Sequence, residues 1–137
     1  MSVDFFSAME VSASGLSAER TRMNVAASNL ANAQTTQAAG GGPYKRKDVV
    51  LASTPMPGAP GVQGVQVSQI TQDAAPPRLE YDPGHPQADA KGYVAYPNIN
   101  PVEEMVDMIT ASRAYEAGIT AMSTAVTMAE RALGIGR

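Results

Sequence analysis

The 137-residue chain has no cysteine, so neither a disulfide framework nor a thiolate metal site is open to it. His85 is its single histidine, which leaves little for an imidazole metal site or a histidine-based acid–base pair. No apolar run approaches the roughly 20 residues that span a bilayer, so direct membrane insertion is not expected. The opening Met1-Ser2-Val3-Asp4-Phe5-Phe6 carries no basic residue before its apolar pair and no secretory core. Any export is therefore expected to leave this end uncleaved. Positive charge is not in excess either: a net charge of -3 and a pI near 5.0 speak against nucleic acid or anionic lipid as partners. The one basic cluster, Lys45-Arg46-Lys47, runs straight into Asp48 and reads as a solvated strand edge or loop, not a phosphate patch.

Proline is missing from both ends. All ten prolines fall between Pro43 and Pro101, and eight of the twelve glycines lie between Gly40 and Gly92. Proline removes a backbone donor and clashes inside a helix, so the flanks are free to run as long helices and the middle is not. The expected plan is mainly α, with three segments: an N-terminal helix within 1–35, an irregular insert with short strands over 36–99, and a C-terminal helix within 100–137.

What the flanks do contain is a heptad pattern. Phe6, Met9, Ala13, Leu16, Arg20, Met23, Ala27 and Leu30 alternate at spacings of three and four, which keeps one narrow apolar stripe facing a partner helix. Arg20 interrupts the stripe and is expected to reach water from its edge. In the C-terminal flank, Asn100-Pro101-Val102-Glu103 reads as a helix start, with Asn as cap, Pro at the first position and Glu103 reaching back to the cap. Glu103, Glu104 and Asp107 then put negative charge where the helix dipole favours it. Met105, Met108, Ser112, Tyr115, Ile119, Met122, Val126, Ala129 and Leu133 continue the three-four alternation. Gly134 is the expected left-handed stop, with Ile135 folding back. Gly118, unfavourable in a helix by about 1 kcal/mol against Ala, points to close contact with another backbone or to a bend.

A helix of roughly 30 residues is about 45 Å long, and two such rods paired alone leave much apolar surface wet. An insert so rich in Pro and Gly is not expected to cover that length. Other chains are therefore expected to complete a coiled-coil-like bundle, the alternative being an ordinary intramolecular hairpin. Within the insert, Val49-Val50-Leu51, the alternation around Val65 and Val67, and Arg78-Leu79-Glu80-Tyr81 read as strands. Thr54 to Gly61 and Gln72 to Pro77 read as loops, and Ala38-Ala39-Gly40-Gly41-Gly42 as a flexible joint.

Catalytic patterns are absent from the sequence. His85 sits in the Pro-Gly turn Tyr81-Asp82-Pro83-Gly84-His85-Pro86, near Asp82 and Asp89 but with no second histidine, and turn structure explains it better than chemistry. Gly40 to Gly42 runs into Pro43 and opens no helix, so it is no phosphate cradle. No catalytic, metal or cofactor residue is assigned.

Three segments carry a resemblance. Ser14-Gly15-Leu16-Ser17-Ala18-Glu19-Arg20, continuing to Asn29-Leu30-Ala31-Asn32-Ala33-Gln34-Thr35, is similar to the N-terminal signature of bacterial flagellar axial proteins. The turn from Tyr81 to Pro86, with Gly92-Tyr93-Val94 and Tyr96-Pro97-Asn98, resembles a stretch particular to one proximal rod subunit. Asn100-Pro101-Val102-Glu103-Glu104-Met105-Val106 with Ser112-Arg113-Ala114-Tyr115-Glu116-Ala117 is similar to the C-terminal helix of the same family, the flagellar basal-body rod proteins. Gln34 and Gly118 stand where that family usually has Asn.

The resemblance implies a non-enzymatic subunit, exported by the flagellar type III apparatus, that polymerises in the periplasm with copies of itself and other rod subunits into a shaft around the export channel. Its terminal helices would form the inner tube and would stay largely disordered until assembly. The expected assembly interface comprises Phe6, Met9, Ala13, Leu16, Met23, Ala27, Leu30, Met105, Met108, Tyr115, Ile119, Met122, Val126 and Leu133. Competing readings are another rod- or hook-type axial protein, a hydrolase using His85, and a stand-alone helical-hairpin binding module.

Overall fold

A computed structural model describes residues 2–136, with side chains from residue 5 onward. Met1 and Arg137, the outermost residues of the two expected helical segments, lie outside the described residues. Six elements follow in order: α1 (Ser2–Ala31), β1 (Lys47–Pro55), β2 (Gln63–Gln72), β3 (Arg78–Tyr81), β4 (Tyr93–Tyr96) and α2 (Pro101–Ile135). The two terminal helices are uninterrupted because neither has a proline beyond the first turn. Among the described residues no helix is long and apolar enough to cross a membrane.

The start of α2 is set by Asn100, whose Oδ1 accepts from the Val102 N–H at 3.1 Å, while Pro101 occupies the first helical position. Among the described residues the return bond expected from Glu103 is absent, and that side chain is exposed to solvent. The stop also differs from expectation. The helix runs through Gly134 to Ile135, and Gly136 ends it with φ -86°, so no left-handed glycine is used. Leu133 and Ile135 are both exposed, so nothing packs on the last turn to make it fold back.

The strands form two antiparallel pairs, β1 with β2 and β3 with β4. β4 was not anticipated as a strand. Its residues are short of alternation, and only its partner β3, across the Tyr81↔Tyr93 and Arg78↔Tyr96 registers, makes it one. Gly92 enters it at φ +83°, and a Cβ there would come within 2.8 Å of the Tyr81 ring, so both backbone and space demand glycine. Asp89 Oδ1 accepts from the Lys91 and Tyr93 N–H groups and closes the preceding turn.

The β1–β2 hairpin covers part of α1, short of the full length that the insert is not expected to cover. No proline falls between Pro43 and Pro55 or between Pro60 and Pro76, so both strands run unbroken. The Val65 N–H donates to Ser14 Oγ at 3.0 Å at one end, and Lys47 meets Asn29 at the other. The hairpin therefore lies along the stretch of α1 from Ser14 to Asn29, about 22 Å of helix. Gly64 lets it come close: a Cβ there would sit 3.0 Å from Ser14 Oγ and closer still to the Met56 sulfur. A bulge between Val50 and Leu51 keeps Ala52 and Thr54 on the less exposed side beyond it.

From α1 the chain turns back through Asn32, whose Nδ2 donates to the Ser28 carbonyl and whose Oδ1 accepts from Thr35. Gly41 and Gly42, both at positive φ, close the following loop through bonds between Ala38 and Gly42 and between Gly41 and Ala38. α2 packs antiparallel on α1. The buried apolar groups (Ala18, Ala26, Ala33, Ala59, Val94, Ile99 and Ala111) are mostly small.

Candidate functional site

Two features distinguish the molecule: a buried polar cluster that ties its three segments together, and an apolar line left open along α2. The cluster centres on Asn29. Its Nδ2 donates to the Lys47 carbonyl at 2.8 Å and its Oδ1 accepts from the Lys47 N–H at 2.9 Å, so the side-chain amide pairs with β1 as another strand would. The same Nδ2 donates to Glu104 Oε2 at 3.0 Å, and Tyr44 OH donates to Asn29 Oδ1 at 3.2 Å.

Glu104 is only 2% exposed, and its second oxygen accepts from Arg46 Nε at 2.5 Å. Arg46 also lies 3.7 Å from Asp48 and from Asp107. Burial acts to lower the Arg46 pKa, but the hydrogen bond to Glu104 and the charges of Glu104, Asp48 and Asp107 outweigh it and raise it above the ordinary arginine value. Among the described residues every buried side-chain nitrogen and oxygen has a partner. The cluster so joins α1, β1 and α2 without an orphaned polar group.

None of Asn29, Arg46 and Glu104 was singled out by the sequence reading. The basic run reads as a solvated strand edge or loop, yet Arg46 is part-buried and paired with Glu104; Glu104 keeps its expected place in the first turn of α2 and is buried there as well. The available signal was Asn29 itself, a poor helix former within an otherwise apolar stretch.

The predicted interface residues divide into two lines. Met9, Leu16, Met23 and Leu30 on α1, and Met108, Tyr115 and Met122 on α2, are half-buried. Phe6, Ala13 and Ala27 on α1, and Met105, Ile119, Val126 and Leu133 on α2, are exposed, Ile119 at 47% and Leu133 at 78%. Arg20 is exposed with the second group.

The line of α2 turned toward α1 is Glu104, Ala111, Gly118 and Ala125, one residue around the helix from the exposed Met105, Ile119 and Val126. Ala111 is 0% exposed, and a Cβ at Gly118 would lie 2.8 Å from Leu16 Cδ2. The close contact at Gly118 is with a side chain, not with the backbone that its presence in a helix suggests. The Leu16–Gly118 and Asn29–Glu104 contacts fix the register, and counting by sevens sets Met9 opposite Ala125 and Met23 opposite Ala111. Large residues of α1 meet small ones of α2. Met105, Ile119, Val126 and Leu133 of α2 are left outside, joined near its start by exposed Val102, Val106 and Ile109.

His85 is placed in a turn, where its Nδ1 accepts from the Gln87 N–H at 3.1 Å and its ring meets the edge of Tyr96. Asp82 and Asp89 bond to backbone amides of their own loop. These are local structural roles.

Residues 9–38 match the family model described as flagella basal body rod protein, and residues 90–135 match that of the flagellar basal body rod FlgEFG protein C-terminal. Curated relatives cover the chain almost end to end. The flagellar basal-body rod protein FlgC of Bacillus subtilis is 44% identical over 96% of this chain and 98% of its own. FlgC of Borreliella burgdorferi is 42% identical over 95% and 96%, and FlgC of an Escherichia coli O6:H1 strain is 43% identical over 93% and 95%.

Proposed function

The chain belongs to the FlgC family of flagellar basal-body rod proteins, and on that footing we propose that it is a structural subunit of the proximal rod. It is not an enzyme: it takes its place in the rod of the flagellar basal body, beside other rod components. Its segments divide the work, with 1–35 and 100–137 supplying the polymer core and 36–99 facing outward or toward neighbours. The terminal helices pack in coiled-coil fashion against copies of this chain and related subunits, surround the export channel and transmit torque through many parallel contacts. The subunit reaches the periplasm through the flagellar type III apparatus with its N-terminus uncleaved.

One observation carries this reading: the exposed apolar line of α2 through Met105, Ile119, Val126 and Leu133, which the chain's own α1 does not cover. Water-facing apolar side chains repeated by sevens along a rod are what a partner helix buries. Phe6, Ala13 and Ala27 offer the matching line on α1.

Ile119→Asp combined with Val126→Asp tests it. Both residues point away from α1, so the monomer is expected to keep its helical content, while rods and swimming are lost because a charge cannot be buried unpaired in the packed core. Normal motility and intact basal bodies in the double variant would mean that this line is not the assembly surface. Leu16→Asp is a less clean test, because Leu16 faces Gly118 within the same chain.

A further inference from the structure

α2 offers α1 two lines to choose between. They flank the shared Met108, Tyr115 and Met122 and lie one residue apart, about 100° around the helix. One has Glu104, Ala111, Gly118 and Ala125; the other has Met105, Ser112, Ile119 and Val126. A rotation of α2 by about 50° recentres the contact on the second line and brings Met105, Ile119 and Val126 in from water. Apolar burial alone favours that rotation, since the second line has three large apolar side chains where the first has none. The chain adopts the other arrangement, with a carboxylate buried at the head of the inward line.

We propose that the Asn29–Glu104–Arg46 cluster is a positioning device that fixes the rotation of α2 about its own axis, and thereby holds the large apolar line outward. The geometry suits the role. Glu104 is pinned by Nδ2 of Asn29 from α1 and by Nε of Arg46, the residue just before β1. Those two donors are themselves fixed, Asn29 by its double bond pattern to Lys47 and Arg46 by the neighbouring Asp48 and Asp107. Rotating α2 would pull the carboxylate off both donors and leave a buried amide and a half-buried guanidinium without it. A buried polar group that fixes the alignment of an apolar helix seam is a known use of such groups in coiled coils. The inference concerns the packing of α1 against α2 within one chain and does not depend on the assembly reading. If the ends are disordered before assembly, as the resemblance implies, cysteines placed on the two lines label at one fast rate in the parent, and the proposal is overturned for the free chain.

The absence of cysteine makes the test direct. Single cysteines are placed by Ala111→Cys and, separately, by Ile119→Cys, in the full-length chain at concentrations where it is monomeric, and thiol labelling rates are compared. In the parent background Ile119→Cys is expected to label at least tenfold faster than Ala111→Cys. With the cluster removed (Asn29→Leu, Arg46→Met, Glu104→Leu) that ratio is expected to fall at least fivefold. A second background exchanges neighbours by Glu104→Met with Met105→Glu, which preserves composition and moves the carboxylate to the other line; there the ratio is expected to invert. Far-UV circular dichroism identifies which backgrounds remain helical. If the exchanged variant is helical and keeps the parent ratio, the fit of large α1 side chains into small α2 positions sets the rotation by itself, and the proposal is overturned.

Discussion

Asn29 does the work of a strand edge from within a helix, and the consequences of changing it or its partners follow from burial. Removing one member of a buried ion pair leaves the other charge uncompensated, at a cost of about 3–5 kcal/mol. Arg46 is about a quarter exposed, so Arg46→Ala is expected at the lower end, near 3 kcal/mol in urea unfolding of the monomer. The raised Arg46 pKa sets the sign of its pH dependence. Its contribution is complete below the ordinary arginine pKa and is lost only as pH rises through the still higher folded value. Neutral and mildly alkaline conditions therefore leave it intact. Asn29→Asp is expected to be at least as harmful as Asn29→Ala, because it removes the donor to Lys47 and sets a second carboxylate beside Glu104. These residues were hard to read in sequence because each has a plausible local role, Glu104 at a helix start and Arg46 in a basic run. Their meeting depends on chain reversals that no local pattern encodes.

At the scale of elements, the helices were legible and their facing was not. Proline-free flanks and the Asn100-Pro101 start mark α1 and α2, but the three-four alternation is satisfied equally by two adjacent lines on α2. Size decides what periodicity leaves open: Leu16 needs the space at Gly118. Gly118→Leu is accordingly expected to destabilise the monomer by about 2 kcal/mol through overpacking, whereas Ile119→Leu, on the exposed line, is expected to stay within about 0.5 kcal/mol. Equal effects of the two changes on the unfolding midpoint would contradict the facing described above. The hairpin was underestimated for a different reason. Averaging proline over the whole insert hid two proline-free stretches, each long enough for a strand that follows α1.

For the whole molecule, the uneven distribution of contacts predicts an uneven stability. The polar cluster ties α1, α2 and the start of the insert together, and Ala18 and Ala111 are buried along the helix pair, while the last turns of α2 have no such cover: Met128, Leu133 and Ile135 are exposed. Protection from hydrogen exchange tracks buried contacts, and helix ends without them open at little cost. In the isolated chain, amides around Ala111 are expected to exchange slowest, and those from about Met128 onward close to the unprotected rate. A related gradient is expected in α1, with slow exchange around Ala26 and Asn29 and faster exchange toward Phe6, beyond the reach of the hairpin. Assembly should then erase the gradient. If neighbours bury Leu133 and Phe6, the same amides in purified basal bodies gain protection by orders of magnitude while those near Ala111 change little. Uniform protection along α2 in the monomer would mean that the chain already satisfies its own apolar surface, and neighbours would have nothing left to cover.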